Sequence, residues 1–399
     1  MAAKKITRRG VVPTVAAWAT VGIMTVGFAG LSTSSGAATT LSTPHGVAPK
    51  GISELVAASC PTVTHCVAVG TATGSTRSKP IPGAASTVNG GASWSKGSLQ
   101  GGPNEVADVS CATKKKCLGV GGSVGATPTV STAGVVVTNN GGVSWTGRLL
   151  AGVDGMLGSV ACPSTTRCVA VGESLSASDQ EGSLVFTSSD GGASWAPGTL
   201  PNGTDGLNDV SCPSTKFCLA VGTSYPTGGP TAVGVIDAIY SKDGGSSWTT
   251  TTSPGAGLVS AVSCANSRVC VVVASTTGPF GPPESLFTAD GGATWSAATL
   301  PFGIGSLLNV TCPSSRECIE VGTFGSPVAE GAPPADIYSR DGGRSWSMGK
   351  LPGTKASWVY AVACSTLARC VAVGSSGGGD DPNATATTNY TNNGGKTWS

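Results

Sequence analysis

Charge is scarce in this chain of 399 residues: Asp, Glu, Lys and Arg make up 11% of it, aromatic residues 5%, and there are two histidines. Four of the 23 basic residues fall within the first nine positions, which leaves 19 against 21 acids in the rest. A body so close to neutral has none of the basic excess that a nucleic-acid partner requires, so none is expected. Phosphate loops, nucleophile elbows and Cys-His nucleophiles are absent from the sequence. Beyond residue 31 no apolar run is long enough to span a bilayer. No window repeats apolar residues every 3.6 positions, which excludes stacked helical pairs.

Glycine and proline are plentiful instead, at 60 and 25, and 39% of the chain is hydrophobic. That balance describes many short strands and turns around a packed core rather than disorder.

At the N-terminus Lys4, Lys5, Arg8 and Arg9 precede an uncharged apolar run from Val11 to Leu31. This is the pattern of an export signal, with small residues Ser35 and Ala37 placing cleavage after Ala37. Residues 1–37 are thus expected to be a signal peptide, or an uncleaved membrane anchor, and 38–399 a single domain, secreted or held at the cell surface. Thr7, Arg8 and Arg9 ahead of Gly10 and Val11 also resemble a twin-arginine signal, so the export route stays open.

One octet recurs seven times, as TVNGGASW, TNNGGVSW, SSDGGASW, SKDGGSSW, TADGGATW, SRDGGRSW and TNNGGKTW. Seven cysteine pairs keep step with it: Cys60 and Cys66, Cys111 and Cys117, Cys162 and Cys168, Cys212 and Cys218, Cys264 and Cys270, Cys312 and Cys318, Cys364 and Cys370. First cysteines of successive pairs lie 51, 51, 50, 52, 48 and 52 residues apart. Periods of this length mark propeller blades, and each unit reads as four antiparallel strands. Strand A ends at the first cysteine, strand B begins at the second, strand C precedes the octet, and strand D follows it. The expected fold is an all-β, seven-bladed propeller of four-stranded blades.

The octet is a tight C-to-D turn: Gly-Gly supplies positive φ, the preceding Asp or Asn bonds the turn's own amides, and Trp is buried between blades. The cysteines are expected to bridge each A-to-B hairpin, one disulfide per blade, which needs an oxidising compartment. Metal ligation is the competing reading, disfavoured because five intervening residues is poor zinc spacing and only His45 and His65 are available to help. The chain reaches Trp398 and Ser399 before a full strand D, and residues 38–45, through Thr39 to Thr43, are expected to complete the seventh blade and remove an open edge.

On these residues the chain resembles Asp-box (BNR) repeat propellers, found in sialidases, the sortilin ectodomain, some glucan-cleaving hydrolases and propellers similar to the photosystem II assembly factor. The resemblance covers residues 55 to 399 and implies the fold rather than an activity. The box positions are Asn89, Asn140, Asp190, Asp243, Asp290, Asp341 and Asn393; three carry Asn where the family has Asp, and the cysteine pairs are not part of the family pattern. A sialidase would need three arginines around a substrate carboxylate. Arg167, Arg268, Arg316 and Arg369 fall in A-to-B turns and Arg340 and Arg344 in octets, which leaves only Arg77 and Arg148 for a substrate face.

Glu105, Asp108, Asp205 and Asp209 sit before or within innermost strands and are the candidate carboxylates for glycoside hydrolysis at the channel mouth. Asp380 and Asp381 are the candidate calcium ligands in a glycine-rich loop. No cofactor is expected. The face made of A-to-B turns and octets gathers twelve cations, among them Lys114, Lys115, Lys116, Arg167, Lys216, Arg268, Arg316 and Arg369, against five acids; the remainder carries seven against sixteen. Such polarity suits an anionic surface, for example a cell-wall polymer. The opposite face carries long B-to-C loops where a binding specificity belongs. The resulting expectation is a monomeric, non-enzymatic binding or assembly module for a protein or glycan, with a glycoside hydrolase as the alternative.

Overall fold

A computed structural model of the chain describes residues 46–399 except 77–78, 125–130, 175–181, 226–233, 277–280, 326–331, 354–356, 367, 378–380 and 382. The expected signal segment, residues 38–45, Arg77 and Asp380 therefore lie outside the described residues. Seven antiparallel sheets follow one another along the chain, each opening on an innermost strand A. Those seven strands are Ile52–Ser59, Glu105–Cys111, Met156–Ala161, Leu207–Ser211, Leu258–Cys264, Ile304–Thr311 and Trp358–Cys364. Strand B starts at the second cysteine in every blade, as in Cys66–Ala72 and Cys218–Ser224. Every cysteine pair is a disulfide across its own A-to-B hairpin, and no cysteine is free.

The core is divided into seven layers, one between each pair of neighbouring blades. Val67, Val69 and Ala84 of blade 1 pack with Val109, Val136 and Trp145 of blade 2. The last layer joins Ile52, Leu55 and Trp94 of blade 1 to Val371 and Val373 of blade 7. Strand B is buried on both faces, which is why it reads Cys-Val-Ala-Val-Gly rather than alternating with polar residues. Its glycine has a separate cause. A Cβ on Gly70, Gly121, Gly172, Gly222, Gly322 or Gly374 would lie 1.8 to 2.2 Å from a carbonyl oxygen of strand A or, for Gly222, of Gly206 just before it, so the two backbones approach too closely for a side chain. Blade 5 carries Ala274 at that place.

Both glycines of all seven octets have φ between 69° and 99°. At each turn the opening Ser or Thr hydroxyl donates to the Asp or Asn Oδ1 and accepts the amide of the second glycine, as in Ser241 with Asp243 and Gly245. Aspartate then accepts the hydroxyl four residues on, Ser247 to Asp243 at 2.6 Å. Where asparagine replaces it the direction reverses, and Asn140 Nδ2 donates to Ser144 Oγ at 2.8 Å. A hydroxyl can serve as donor or acceptor, so Asn89, Asn140 and Asn393 build the same turn without a charge.

Ring closure is made by Gly46 and Val47. Ser399 exchanges two backbone hydrogen bonds with Tyr390 in strand C of blade 7, and Gly46 bridges Thr388 farther along the same strand. Val47 runs parallel to Ser93 in the blade 1 octet, as Ser98 does to Ser144, Thr199 to Ser247 and Thr299 to Ser345. A Cβ on Gly46 would lie 2.6 Å from Gly91 O; the matching distances are 2.3 Å from Gly97 to Gly142 O and 2.6 Å from Gly198 to Gly245 O. Sequence agrees with geometry: Gly-Val-Ala-Pro at 46–49 matches Gly-Thr-Leu-Pro at 198–201 and Gly-Lys-Leu-Pro at 349–352. Gly46 and Val47 thus link the last blade to the first; Thr39 to Thr43 lie outside the described residues.

Candidate functional site

Every strand A carries a register shift at the same place, between Leu55 and Ala57, Val106 and Asp108, Leu157 and Ser159, Leu207 and Asp209, and at the corresponding residues of the last three blades. A bulge bends the strand and re-aims the next side chain. That next residue is Asp108 in blade 2, Ser159 in blade 3, Asp209 in blade 4 and Asn309 in blade 6. Each of the three acid or amide side chains reaches sideways to an amide of the following blade. Val160 N donates to Asp108 Oδ2 at 2.8 Å, Val262 N to Asp209 Oδ2 at 2.7 Å, and Val362 N to Asn309 Oδ1 at 3.1 Å. Asp108 and Asp209 also accept their own neighbours' amides, from Val109 and Val210.

The two carboxyls meet on one hydroxyl. Ser159 Oγ lies 3.0 Å from Asp108 Oδ2 and 2.5 Å from Asp209 Oδ1. One hydroxyl proton serves one of these contacts, and the other becomes favourable when a carboxyl is itself protonated. Burial, reinforced by the charge of Asp209, raises Asp108 to about 7; burial raises Asp209 to about 6. Both side chains keep partial exposure to the channel, where a cavity of about 310 Å³ is bounded by Asp209, Ser110, Ser211, Asn309 and Thr311 and by disulfide cysteines such as Cys162. The cavity therefore lies toward the A-to-B turns.

The other two candidate acids stand apart. Glu105 is half-buried, and burial raises its carboxyl. Asp205 is exposed, and its backbone amide bonds Asp237, whose carboxyl is raised by burial. Sequence reasoning missed three further acids. Glu54 takes a hydrogen bond from the Tyr360 hydroxyl across the seam between blades 7 and 1, and burial raises both groups. Glu320 is fully buried, accepts Ser285 Oγ at 2.7 Å, and is held well above the usual carboxylate range by burial. Asp336, 1% exposed, accepts Trp398 Nε1 at 2.8 Å and is raised by burial to about 7. Glu54 was findable, since it stands six residues before its cysteine as Glu105 does.

These shifts fix a pH dependence. The unfolded chain releases its aspartate protons near 3.8, while the ring holds those of Asp108, Asp209 and Asp336 to about 6 or 7. The stability they contribute is complete below about pH 4 and is lost between about pH 4 and 7. Box aspartates act in the other direction. Hydrogen bonds from Thr294 hold Asp290 down at about 2, and those from Ser194 lower Asp190, so their contribution is lost as pH falls below about 4. Urea unfolding should show greatest stability at about pH 4 and a loss of several kcal/mol, up to about 10 kcal/mol, by about pH 7.5. A flat profile across that window would contradict the burial of these acids.

The charged face is reshaped by contacts the sequence did not reveal. Arg167 donates to Gly244 O, Asp243 O and Ser246 Oγ of the next blade's octet. Lys116 and Arg369 lie against the octet glycines Gly191 and Gly90 of the blades that follow them. Arg340 pairs with Glu317, and Arg344 lies 5.1 Å from the Phe287 ring centroid. Lys114, Lys115, Lys216, Arg268 and Arg316 remain exposed. Arg148 donates to Gly192 O at 2.5 Å. Asp381 accepts the Asn383 amide at 2.8 Å, and among the described residues no three His, Cys, Asp or Glu side chains form a metal-sized group.

The BNR/Asp-box repeat model matches residues 337–348, which span the sixth octet. No curated protein sequence matches the chain. Among solved structures, YCF48 from Cyanidioschyzon merolae is 15% identical, with 87% of this chain and 96% of that one covered at a TM-score of 0.53. A polysaccharide lyase, an ulvan lyase of family PL25 bound to -[GlcA(1-4)Rha3S]-, is 10% identical, with 89% and 96% covered at 0.58. At these identities the likeness is one of fold. With one octet matched directly and six more repeating its sequence and its hydrogen bonds, the chain is a seven-bladed β-propeller whose C-to-D turns carry an Asp-box-like repeat.

Proposed function

We propose that this protein is a secreted or surface-held, non-enzymatic scaffold that presents its B-to-C and D-to-A loops to a ligand. One observation carries the reading. Asp108 and Asp209, the only candidate catalytic acids that come together, each bond two backbone amides and share Ser159, so their lone pairs are engaged in joining blades. Seven local disulfides make a rigid ring suited to an oxidising, extracytoplasmic environment.

The opposite face supports a role in orientation. Lys114, Lys115, Lys216, Arg268 and Arg316 are exposed on A-to-B turns, and docking them on a polyanionic wall polymer would point the loops outward. Replacing these five by glutamate should abolish retention on anionic cell-wall material at low salt. Arg167 and Lys116 are unsuitable for that test because they also hold neighbouring octets.

The glycoside hydrolase reading has its own support, since carboxyls raised to about 6 and 7 beside a cavity suit proton transfer near neutrality. A glycan array and a hydrolysis screen run on the same purified protein separate the two. Binding without product supports the scaffold; product formation that Asp108→Asn or Asp209→Asn abolishes supports the hydrolase.

A further inference from the structure

The asparagines that replace aspartate in the octets are not scattered around the ring. Asn393, Asn89 and Asn140 belong to blades 7, 1 and 2, which are consecutive once the ring is closed, while blades 3 to 6 carry Asp190, Asp243, Asp290 and Asp341. Asparagine builds the same turn with the same hydroxyls, so the fold gives no reason for the change. Charge does. The octets and A-to-B turns of blades 7, 1 and 2 hold five cations, Lys114, Lys115, Lys116, Arg369 and Lys396, and no acid. Those of the other four blades hold seven cations against five acids.

These turns form one continuous surface. Gly90 N donates to Thr64 O at 2.8 Å, and a Cβ on Gly90 would lie 3.2 Å from the guanidinium of Arg369 in blade 7. Gly141 N donates to Lys115 O at 2.9 Å, and a Cβ there would lie 2.9 Å from the ring of His65 in blade 1. Three valines stand out from this surface. Val63 in the turn of blade 1 is 42% exposed, and Val88 and Val143 in the octets of blades 1 and 2 are 75% and 62% exposed. Among the described residues, no other octet or A-to-B turn carries an exposed large hydrophobic side chain.

The chain also joins the ring here. Val47 exchanges backbone hydrogen bonds with Ala92 and Trp94 of the blade 1 octet, so the apolar run from Val11 to Leu31 is connected to this sector through residues 32–45. Cations without acids suit any polyanion, but a hydrated wall polymer leaves the valines in water. A bilayer of anionic lipids takes both, because its headgroups meet the cations and its interface buries apolar side chains.

We propose that the turn face of blades 7, 1 and 2 docks on an anionic lipid bilayer, with Val63, Val88 and Val143 entering the interface. This rests on the orienting role given to the basic face and names lipid as the partner of one sector of it. The full chain is treated with an amine-reactive label, with and without vesicles, and each lysine is read by mass spectrometry. Vesicles of equimolar phosphatidylglycerol and phosphatidylcholine at low salt should lower labelling of Lys114, Lys115 and Lys396 about fivefold or more, and that of Lys216 and Lys242 in blade 4 less than about twofold. High salt should restore labelling. Phosphatidylcholine alone should protect none of them, which separates docking from insertion of the apolar run.

Two variants probe the cause. Asn89→Asp, Asn140→Asp and Asn393→Asp together keep a turn that four other blades build with aspartate, and should remove most of the protection. Val63→Ser, Val88→Ser and Val143→Ser together should do the same with melting unchanged, because these side chains are exposed. Labelling unaffected by anionic vesicles, equal protection of Lys216 and Lys242, equal protection by phosphatidylcholine, or full protection in either variant overturns the proposal. An anionic wall polymer that protects all of these lysines where vesicles protect none overturns it and leaves the wall-polymer orientation intact. Protection by neither overturns both.

Discussion

A thiol reductant should unfold the ring at temperatures where the oxidised protein is fully folded. Each disulfide joins cysteines six apart in sequence across one innermost hairpin. A loop that short contributes about 2 kcal/mol by chain entropy, so seven contribute on the order of 15 kcal/mol, as much as the whole net stability of an ordinary domain. Strand A cannot be held by propensity in their absence, because its bulge interrupts the ladder to strand B in every blade. Tryptophan fluorescence through a thermal ramp, with and without reductant, reads the effect directly. A melting temperature unchanged by full reduction would show that interblade packing suffices, and would remove the physical reason for an oxidising location.

Breaking the closure should have the next largest effect. Thr388 and the blade 1 octet are joined through Gly46 and Val47, and a Cβ at residue 46 would meet Gly91 O and Thr388 Oγ1, each at 2.6 Å. Gly46→Val therefore forces the latch away from both blades and should lower stability by about 3 kcal/mol. Removing the chain through Pro49 should lower it further, since it uncovers the edge of blade 7 and exposes the layer formed by Ile52, Trp94 and Val371. Val47→Ala is the control: its side chain is 65% exposed, so about 0.5 kcal/mol or less is expected. Urea unfolding of the three variants tests the series. Equal stability of Gly46→Val and wild type would mean that the ring is closed by the C-terminal strand alone.

How far residues disclose this structure depends on the range over which they act. The octet is self-contained: its glycines, its Asp or Asn and its hydroxyls bond one another, so the turn and the reason for its repetition are legible. Disulfide pairing is legible too, because a period near 50 residues makes the nearest cysteine the symmetric choice. Closure is half legible. The Gly-Val-Ala-Pro match to other blades marks Gly46 and Val47 as linking residues, whereas Thr39 to Thr43, favoured by β-propensity, lie outside the described residues.

Contacts between blades are the least legible. Nothing beside Arg167 in sequence shows that its guanidinium meets Gly244, 77 residues on, so it reads as free surface charge. Asp108 reads as a channel-mouth acid until the bulge beside it is known, because one residue of register decides whether it faces the channel or the neighbouring amide. Glu320 stands in a Cys-Ile-Glu-Val-Gly strand where most other blades have alanine, and that substitution was the available signal for a buried acid.

Whether the channel acids join blades or perform chemistry is settled most directly by Asp209→Asn, measured for stability and for turnover on one preparation. Asparagine keeps one acceptor and loses the other, as the Asn309 position in blade 6 shows the fold can tolerate. The account predicts a loss of about 1–2 kcal/mol at acidic pH, a shallower decline of stability between about pH 4 and 7, and no product from either protein. Unchanged stability together with a hydrolytic activity present in wild type and absent from the variant would contradict it.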